Sequence, residues 1–423
     1  MYEKVVFGNK LRLICENIPH VRSVAVGVWV ANGSRNEIEE NNGISHFIEH
    51  MLFKGTENRT GKQISEVIDG VGGQLNAFTG KECTCFYSKT LDADIELSFS
   101  VLSDMLLNSL IQEKDVDIER KVILEELGMY EDAPDDVAYE YLYKAAWGND
   151  ALGRAILGTR ESLARINSTM IKEYMKKTYI PENCVISVAG NFDKNELISL
   201  VEKYFGSWKS DKDSILSTYN IPEFKSNLLT VEKDTEQVHL CYGFESIGTG
   251  EDLLYSVVAL NNLFGDGISS RLFQKGREEL GIAYSIYSSP SSYKSTGIYM
   301  VYAGTGPKTL GVTSDMIVSE IEEIKNNGIT KEEFDKALSQ MRGNYMLGLE
   351  NTIGRMSSMG KAELMTGKVL TQDDVLDKIN SVTMDTINQV INRIFNFEKC
   401  SISVAGIFEK KDIEKMKKVI DIA

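Results

Sequence analysis

Two histidines and a glutamate, His46, Glu49 and His50, stand close together in GISHFIEHMLFKG, positions 43–55. On a helix, side chains four apart project from one face, so His46 and His50 can offer two imidazole nitrogens to a single ion. Glu49 falls three residues after His46, on the same side. These polar groups stand among Phe47, Ile48, Met51, Leu52 and Phe53, where an ordinary helix buries only apolar side chains. The combination points to a metal site. A second acidic pair lies in DVDIERKVILEELGMY, residues 115–130, where Glu119 and Glu126 are two helical turns apart and share a face with Val122 and Ile123. Carboxylates on an apolar stripe are costly to bury unless a positive charge compensates them, and a metal ion would do so.

The elements that must position these groups follow from the patterning around them. Residues 3–16 and 21–31 alternate apolar and polar positions and read as two strands, with Asn32-Gly33-Ser34 as the turn after them. An acidic loop, 36–42, leads to Ser45 as the N-cap of the helix that carries the histidines. A helix over 62–71 ends at Gly72-Gly73, and Gln74 to Thr79 then reads as a strand. Small and polar residues there suit an edge whose backbone can pair with an extended peptide; an ordinary hairpin strand fits the same residues. Helices are expected over 95–108, 115–130 and 137–147, with the proline-containing EDAPDD (131–136) as a loop, and a strand over 184–190 followed by a helix to 205. The polar, turn-rich stretch 207–224 is the candidate linker.

CVISVAGNF from Cys184 recurs as CSISVAGIF from Cys400, an offset of 400 − 184 = 216 residues. Near that offset Gly27 falls on Gly243, and KECTCFYSKT (81–90) falls on TGIYMVYAGT. Two halves of similar fold are the economical reading. The second half has Asn262, Gly265 and Asp266 where the first has His46, Glu49 and His50, so it keeps the scaffold and lacks the metal set. Its most unusual stretch is SSRLFQKGREELGIAYSIYSS, 269–289, where Arg271 and Arg277 lie close to Tyr284 and Tyr287. Arg and Tyr can both donate to a carbonyl oxygen that gains negative charge; a surface ion pair of Arg277 with Glu278 or Glu279 is the plainer alternative.

At 423 residues, 42% hydrophobic and 26% charged, the chain is long enough for two globular domains and a buried site. A formal net charge of −16 disfavours nucleic acid and anionic membranes as partners and is compatible with cationic substrates, or serves solubility alone. No run of 18 apolar residues spans a membrane, and the first twenty residues resemble neither a secretory signal nor a transit peptide, so a cytoplasmic location is expected. The six cysteines show no CxxC pair and are expected to be reduced and packed in strands, with Cys83 and Cys85 on one strand face.

His46-Phe-Ile-Glu49-His50 is HxxEH, the inverse of the HExxH zinc signature. With Glu119 and Glu126, AsnAlaPheThr at 76–79 and the Arg277/Tyr284 region, the chain resembles the insulinase and mitochondrial-processing-peptidase family of zinc peptidases, in its short bacterial members, over nearly its whole length. The resemblance implies an α+β fold of two homologous domains, each a mixed, mainly antiparallel sheet covered by helices. They would be a zinc-binding catalytic domain at 1–213 and a homologous domain without the zinc motif at 214–423. It implies one Zn2+ per chain on His46, His50 and Glu126, since the family's glutamate ligand follows the second histidine by 126 − 50 = 76 residues; Glu125 is the adjacent competitor. Glu119 would steady the ligands, and Glu49 would be the general base that activates a zinc-bound water. Asn76, Ala77 and Phe78 would bind unfolded peptides as an added strand.

In long members of the family the Arg/Tyr pair comes from the last of four domains. With two domains here, Arg277 and Tyr284 would come from a second protomer across an enclosed chamber, in a homodimer or a heterodimer with a related chain. The implied function is that of a zinc metalloendopeptidase. The alternative is a non-catalytic structural or assembly subunit, a role taken by relatives that lost their ligands, whereas His46, Glu49, His50, Glu126, Arg277 and Tyr284 are all kept here.

Overall fold

Alternating apolar residues at the N-terminal end build a hairpin followed by a third strand in a computed structural model that describes residues 2–421. Strands β1 (Tyr2–Val6) and β2 (Arg12–Asn17) pair antiparallel, and β3 is Ser23–Val30. The stretch 3–16 is thus two strands, because Gly8-Asn9-Lys10 makes a tight turn in which the Lys10 amide bonds Phe7 O at 2.8 Å and Lys10 takes φ 70°. Then come α1 (Ile44–Leu52), α2 (Gly61–Asp69), β4 (Gln74–Thr79), β5 (Thr84–Leu91), α3 (Ile95–Leu107), α4 (Glu113–Asp132) and α5 (Pro134–Trp147). The expected loop at 131–136 is little more than the break between two helices: Pro134 sits in the first turn of α5, where its missing N–H costs nothing. Helices α6 (Arg160–Arg165) and α7 (Ser168–Thr178), strand β6 (Cys184–Gly190) and α8 (Lys194–Phe205) complete this half.

The second half contains β7 (Leu228–Glu232), β8 (Val238–Ser246), α9 (Leu254–Phe264), the short α10 (Arg271–Phe273) with a π-helical turn over Gln274–Glu279, β9 (Ala283–Tyr293) and β10 (Thr296–Thr305). It continues through α11 (Leu310–Asn327), α12 (Lys331–Gly348), α13 (Thr352–Thr366), α14 (Gln372–Asn380), α15 (Met384–Ile394), β11 (Cys400–Gly406) and α16 (Lys410–Asp421). No helix among the described residues is long and apolar enough to cross a membrane.

The chain folds into two compact units, each with a mixed, mainly antiparallel sheet covered by helices. The first sheet has the order β1-β2-β6-β3-β5-β4, with only β2 and β6 parallel. The second has the order β7-β11-β8-β10-β9, with only β11 and β7 parallel. The repeated CxISVAGxF motif forms β6 in one and β11 in the other. Cys184 pairs with Val30 and Cys400 with Phe244, so the β3 and β8 strands correspond at an offset of 214, and Gly27 matches Cys241 instead of Gly243. All six cysteines are buried and free.

Each unit borrows a helix. Relative to a boundary at 213/214, residues 128–154 group with the second unit and 346–371 with the first, and the main crossing, 218/219, falls inside the polar linker. In the first unit one sheet face packs on α1, α3 and α8, and the other buries Trp29, Cys85, Val185 and Ala189 against Met356 and Met359 of α13. In the second unit α5 plays that part, setting Leu142 and Trp147 against Cys241, Ile298 and Ala405. The motif serine grips the borrowed helix in both copies: Ser187 donates to Met356 O at 2.7 Å, and Ser403 to Ala138 O at 2.6 Å.

Candidate metal centre

Helix α1 buries Ile44, Phe47, Ile48, Met51 and Leu52 in the core, which leaves His46, Glu49 and His50 on its remaining face. Its N-cap is Gly43, not the expected Ser45; Gly43 has φ 94°, and a Cβ there would lie 2.5 Å from Leu157 O, so only glycine fits. The end of the helix is capped instead by the buried Glu37 carboxylate, which accepts from the amides of Gly43 at 2.7 Å and Ser45 at 2.8 Å.

Helix α4 brings the two acids across. Glu126 lies with its Oε1 3.8 Å from His46 Nε2 and its Oε2 3.4 Å from His50 Nε2. Glu119 Oε1 is 2.9 Å from Nδ1 of His50, and its other oxygen pairs with Lys54 at 2.5 Å. Donor atoms of His46, His50 and Glu126 all lie within 4.8 Å of one another. Glu125 points to the exposed side of α4.

Tetrahedral zinc with bonds of about 2.0–2.1 Å separates its donors by roughly 3.3 Å, which the 3.4 Å from His50 to Glu126 matches and the 3.8 Å from His46 to Glu126 exceeds. The donor chemistry also fits. Glu119 accepts the Nδ1 proton of His50, so that a metal replacing the proton on Nε2 would meet the lone pair of that nitrogen beside Glu126. Burial and the neighbouring His50 push the His46 imidazole toward its neutral, ligating form. Burial also opposes charge on His50, but hydrogen bonds to Glu119 and Glu126 and their charges outweigh it and raise its pKa. A hydrogen bond from His50 holds Glu126 below the usual carboxylate range. A cation is favoured here, and a metal would displace a proton.

Glu49 is half-buried beside this set, and its Oε2 accepts the hydroxyl of Thr79 on β4. Burial raises its pKa, against the hydrogen bond from Thr79 and the charge of His50. A carboxylate adjusted upward toward neutrality is suited to take and return a proton.

β4 is an edge strand, paired with β5 on one side. Its period-2 alternation divides the expected substrate residues between two faces. Ala77 packs with the α1 core, like Thr79 on the Glu49 side, whereas Phe78 packs on Trp29 and Tyr87 on the opposite face, with centroids 5.5 and 6.5 Å away. Asn76 accepts the Ala77 amide on its own Oδ1 at 2.8 Å. Arg277 and Tyr284 lie in the second unit, where the Arg277 guanidinium stacks on Phe273 at 5.1 Å and on Tyr284 at 5.5 Å. They line a cavity of about 380 Å³ with Gln237, Thr305 and Thr309. In that stretch Lys275 pairs with Glu279, and Arg271 pairs with Glu333 at 2.6 Å.

Two functional neighbours, Lys54 and Glu37, escaped the sequence reading, and Thr79 was read as part of the substrate strand without its contact to Glu49. Lys54 continues the spacing of four from His46 and His50, so it left a local signal. Glu37 left none, because it reaches α1 across a loop.

Comparison with known proteins places the chain in a family. Residues 12–160 match the insulinase family, peptidase family M16, and residues 165–341 match the domain described as the peptidase M16 inactive domain. The uncharacterized zinc protease YmxG of Bacillus subtilis is 44% identical over 395 residues, which cover 93% of this chain and 96% of the relative. An uncharacterized zinc protease of Streptomyces coelicolor is 37% identical over 96% of this chain and 90% of its own. Among solved structures, a protease from Helicobacter pylori superposes with a TM-score of 0.91 at 21% identity, covering 96% of this chain and 99% of that one. A peptidase M16 inactive domain from Pseudomonas fluorescens gives 0.90 at 18% identity, over 97% and 99%; at such identities these two show the fold alone. By family match and by identity along nearly its full length, the chain belongs to the insulinase family of peptidases, peptidase family M16.

Proposed function

We propose that this chain is a zinc-dependent endopeptidase of unfolded peptides. The observation that carries the reading is the convergence of His46, His50 and Glu126 beside a Glu49 that is tied through Thr79 to an edge strand. His46, His50 and Glu126 would hold one zinc ion, which would supply Lewis acidity and lower the pKa of a water at the site to about 7. Glu49 takes the proton from the attacking water. It then returns that proton to the amine nitrogen released when the peptide C–N bond breaks.

Edge strand β4 takes an extended peptide as an added strand, which reads backbone more than sequence and selects unfolded chains. Asn76, Ala77 and Phe78 contribute mainly their backbone to this, since their side chains alternate between the faces. Arg277 and Tyr284 of a second copy donate to the substrate carbonyl oxygen, which makes the working form a dimer around an enclosed chamber. Support for that assignment is the aromatic stacking that holds Arg277 over an open cavity.

The test is mass spectrometry of unstructured peptides of about 15–30 residues incubated with the purified chain, with and without a zinc chelator. Cleavage that the chelator abolishes supports the reading. Bound zinc without cleavage would point to a non-catalytic subunit.

A further inference from the structure

The two histidines of the metal set are oriented differently. His50 is fixed through its second nitrogen by Glu119 at 2.9 Å. Nδ1 of His46 is buried and has no hydrogen-bond partner among the described residues. With no hydrogen bond on that nitrogen, the ring is placed by its contacts with His50 and Glu126 and by the first turn of α1, of which His46 is the third residue.

That turn is held by the loop that leaves β3. Glu37, only 3% exposed, accepts from the Gly43 and Ser45 amides and from Asn42 Nδ2 at 2.8 Å. Asn32, fully buried, donates to Ser45 Oγ at 3.1 Å. The other side of the same loop holds the turn that follows β4. The Ser34 amide bonds Gly80 O at 3.2 Å, the Arg35 amide bonds Lys81 O at 2.7 Å, and the Arg35 guanidinium forms a buried ion pair with Glu82. One short segment thus clips the metal helix to the end of the substrate strand, on the two elements that Glu49 and Thr79 join.

We infer that Glu37 is a positioning residue for the metal centre, acting on His46 through the first turn of α1, and that the Arg35–Glu82 pair is a positioning device for the substrate edge. The inference rests on the zinc-peptidase reading above. It separates two effects along one loop: metal affinity depends on the Glu37 end and substrate binding on the Glu82 end. A carboxylate is required at 37 because it accepts three N–H groups at the positive end of a helix, whereas an amide would turn donors toward donors.

The experiment measures zinc affinity of the full chain by competition with a chromogenic chelator, amide hydrogen exchange, and peptide turnover. Glu37→Gln is expected to weaken zinc binding by about 10–100-fold, the usual effect of losing an outer support of a ligand. In the metal-free chain it should speed exchange over residues 43–47 without changing exchange in β6. Glu82→Gln is expected to raise KM several-fold with zinc affinity within about twofold of wild type. Should Glu37→Gln fail to fold, Asn42→Ala removes one donor to the same carboxylate and must weaken zinc in the same direction. Unchanged zinc affinity in Glu37→Gln and Asn42→Ala, or equal losses of affinity and KM at both ends of the loop, overturns the inference. A wild-type chain that binds zinc without cleaving overturns the peptidase reading instead, and the zinc and exchange measurements on Glu37→Gln still report on the loop.

Discussion

Glu49 and Glu126 are both half-buried carboxylates within reach of His50, yet the geometry gives them different work. Glu126 faces the Nε2 atoms of both histidines, while Glu49 turns to Thr79. Glu49→Gln should therefore keep stoichiometric zinc and lower kcat by about 10²- to 10⁴-fold, the usual contribution of a positioned acid–base group. Zinc content by elemental mass spectrometry beside peptide turnover decides this, and retained turnover would remove Glu49 from the proton-transfer role. Glu126→Gln should lose zinc, and Glu119→Gln should bind it about 10–100-fold more weakly, because Glu119 acts only through His50 Nδ1. Glu125→Gln, on the exposed side of the helix, should bind zinc as wild type does. The HxxEH spacing and the two-turn interval from Glu119 to Glu126 were legible in the sequence, because helical periodicity is local, whereas the preference for Glu126 over Glu125 as a ligand came with the family resemblance. The cap by Glu37 was not: Ser45 is a better cap by residue type, whereas the helix starts after Gly43, where a Cβ would lie 2.5 Å from Leu157 O, and Glu37 reaches the first amides across a loop.

At the scale of elements, α1 must be held at both ends for its histidines to meet α4. Past its C-terminal end the chain turns through Thr56–Arg59, and buried Asp104 at the end of α3 gathers this turn. It accepts from Thr56 Oγ1 at 2.7 Å, Asn58 Nδ2 at 2.7 Å, Arg59 Nη1 at 2.6 Å and Asn108 Nδ2 at 3.0 Å. Burial alone would raise the pKa of this carboxyl, but those hydrogen bonds outweigh it and hold it below its ordinary 3.8. A depressed folded pKa means that the unfolded chain takes up the proton first as pH falls. The contribution of the cluster is therefore complete above the ordinary value and lost as pH drops through the folded one. Asp104→Asn should cost about 2 kcal/mol at pH 7. In urea titrations the difference between wild type and Asp104→Asn should shrink below about pH 4; a difference that stays constant down to pH 2 would sink the assignment. The strands around this site were legible from alternation. The hairpin at 8–10 was missed because Gly8-Asn9 interrupts an otherwise continuous pattern, and the pairing of Gly27 with Gly243 slipped because identical letters outweighed register.

For the whole molecule, the duplicated sequence is legible as two halves, but the compact units are not two continuous pieces of chain. Periodicity predicts a helix over 137–147 but does not show which sheet it meets, and the helix at 352–366 was not read from the sequence at all. In the first unit, α13 covers Trp29 so closely that a Cβ on Gly360 would lie 2.2 Å from its indole nitrogen. Buried Glu363 of the same helix accepts Lys4 at 2.7 Å and Arg12 at 3.4 Å, and Arg355 pairs with Glu16 at 3.1 Å. Every member of the metal set lies in this unit, whose second sheet face is covered by a segment beginning more than a hundred residues after the linker. A fragment of residues 1–213 should accordingly expose the Trp29 face, leave Glu16 without its arginine and show no cooperative urea transition. A peptide of residues 346–371 added in trans should restore both a cooperative transition and zinc affinity, because it returns the missing layer to the first sheet. Cooperative unfolding and native-like zinc binding by 1–213 alone would show that the borrowed helix is an accessory. Failure of the peptide to bind would show that α13 docks only while joined to the rest of the chain, so that the metal centre depends on chain continuity as well as on its own ligands.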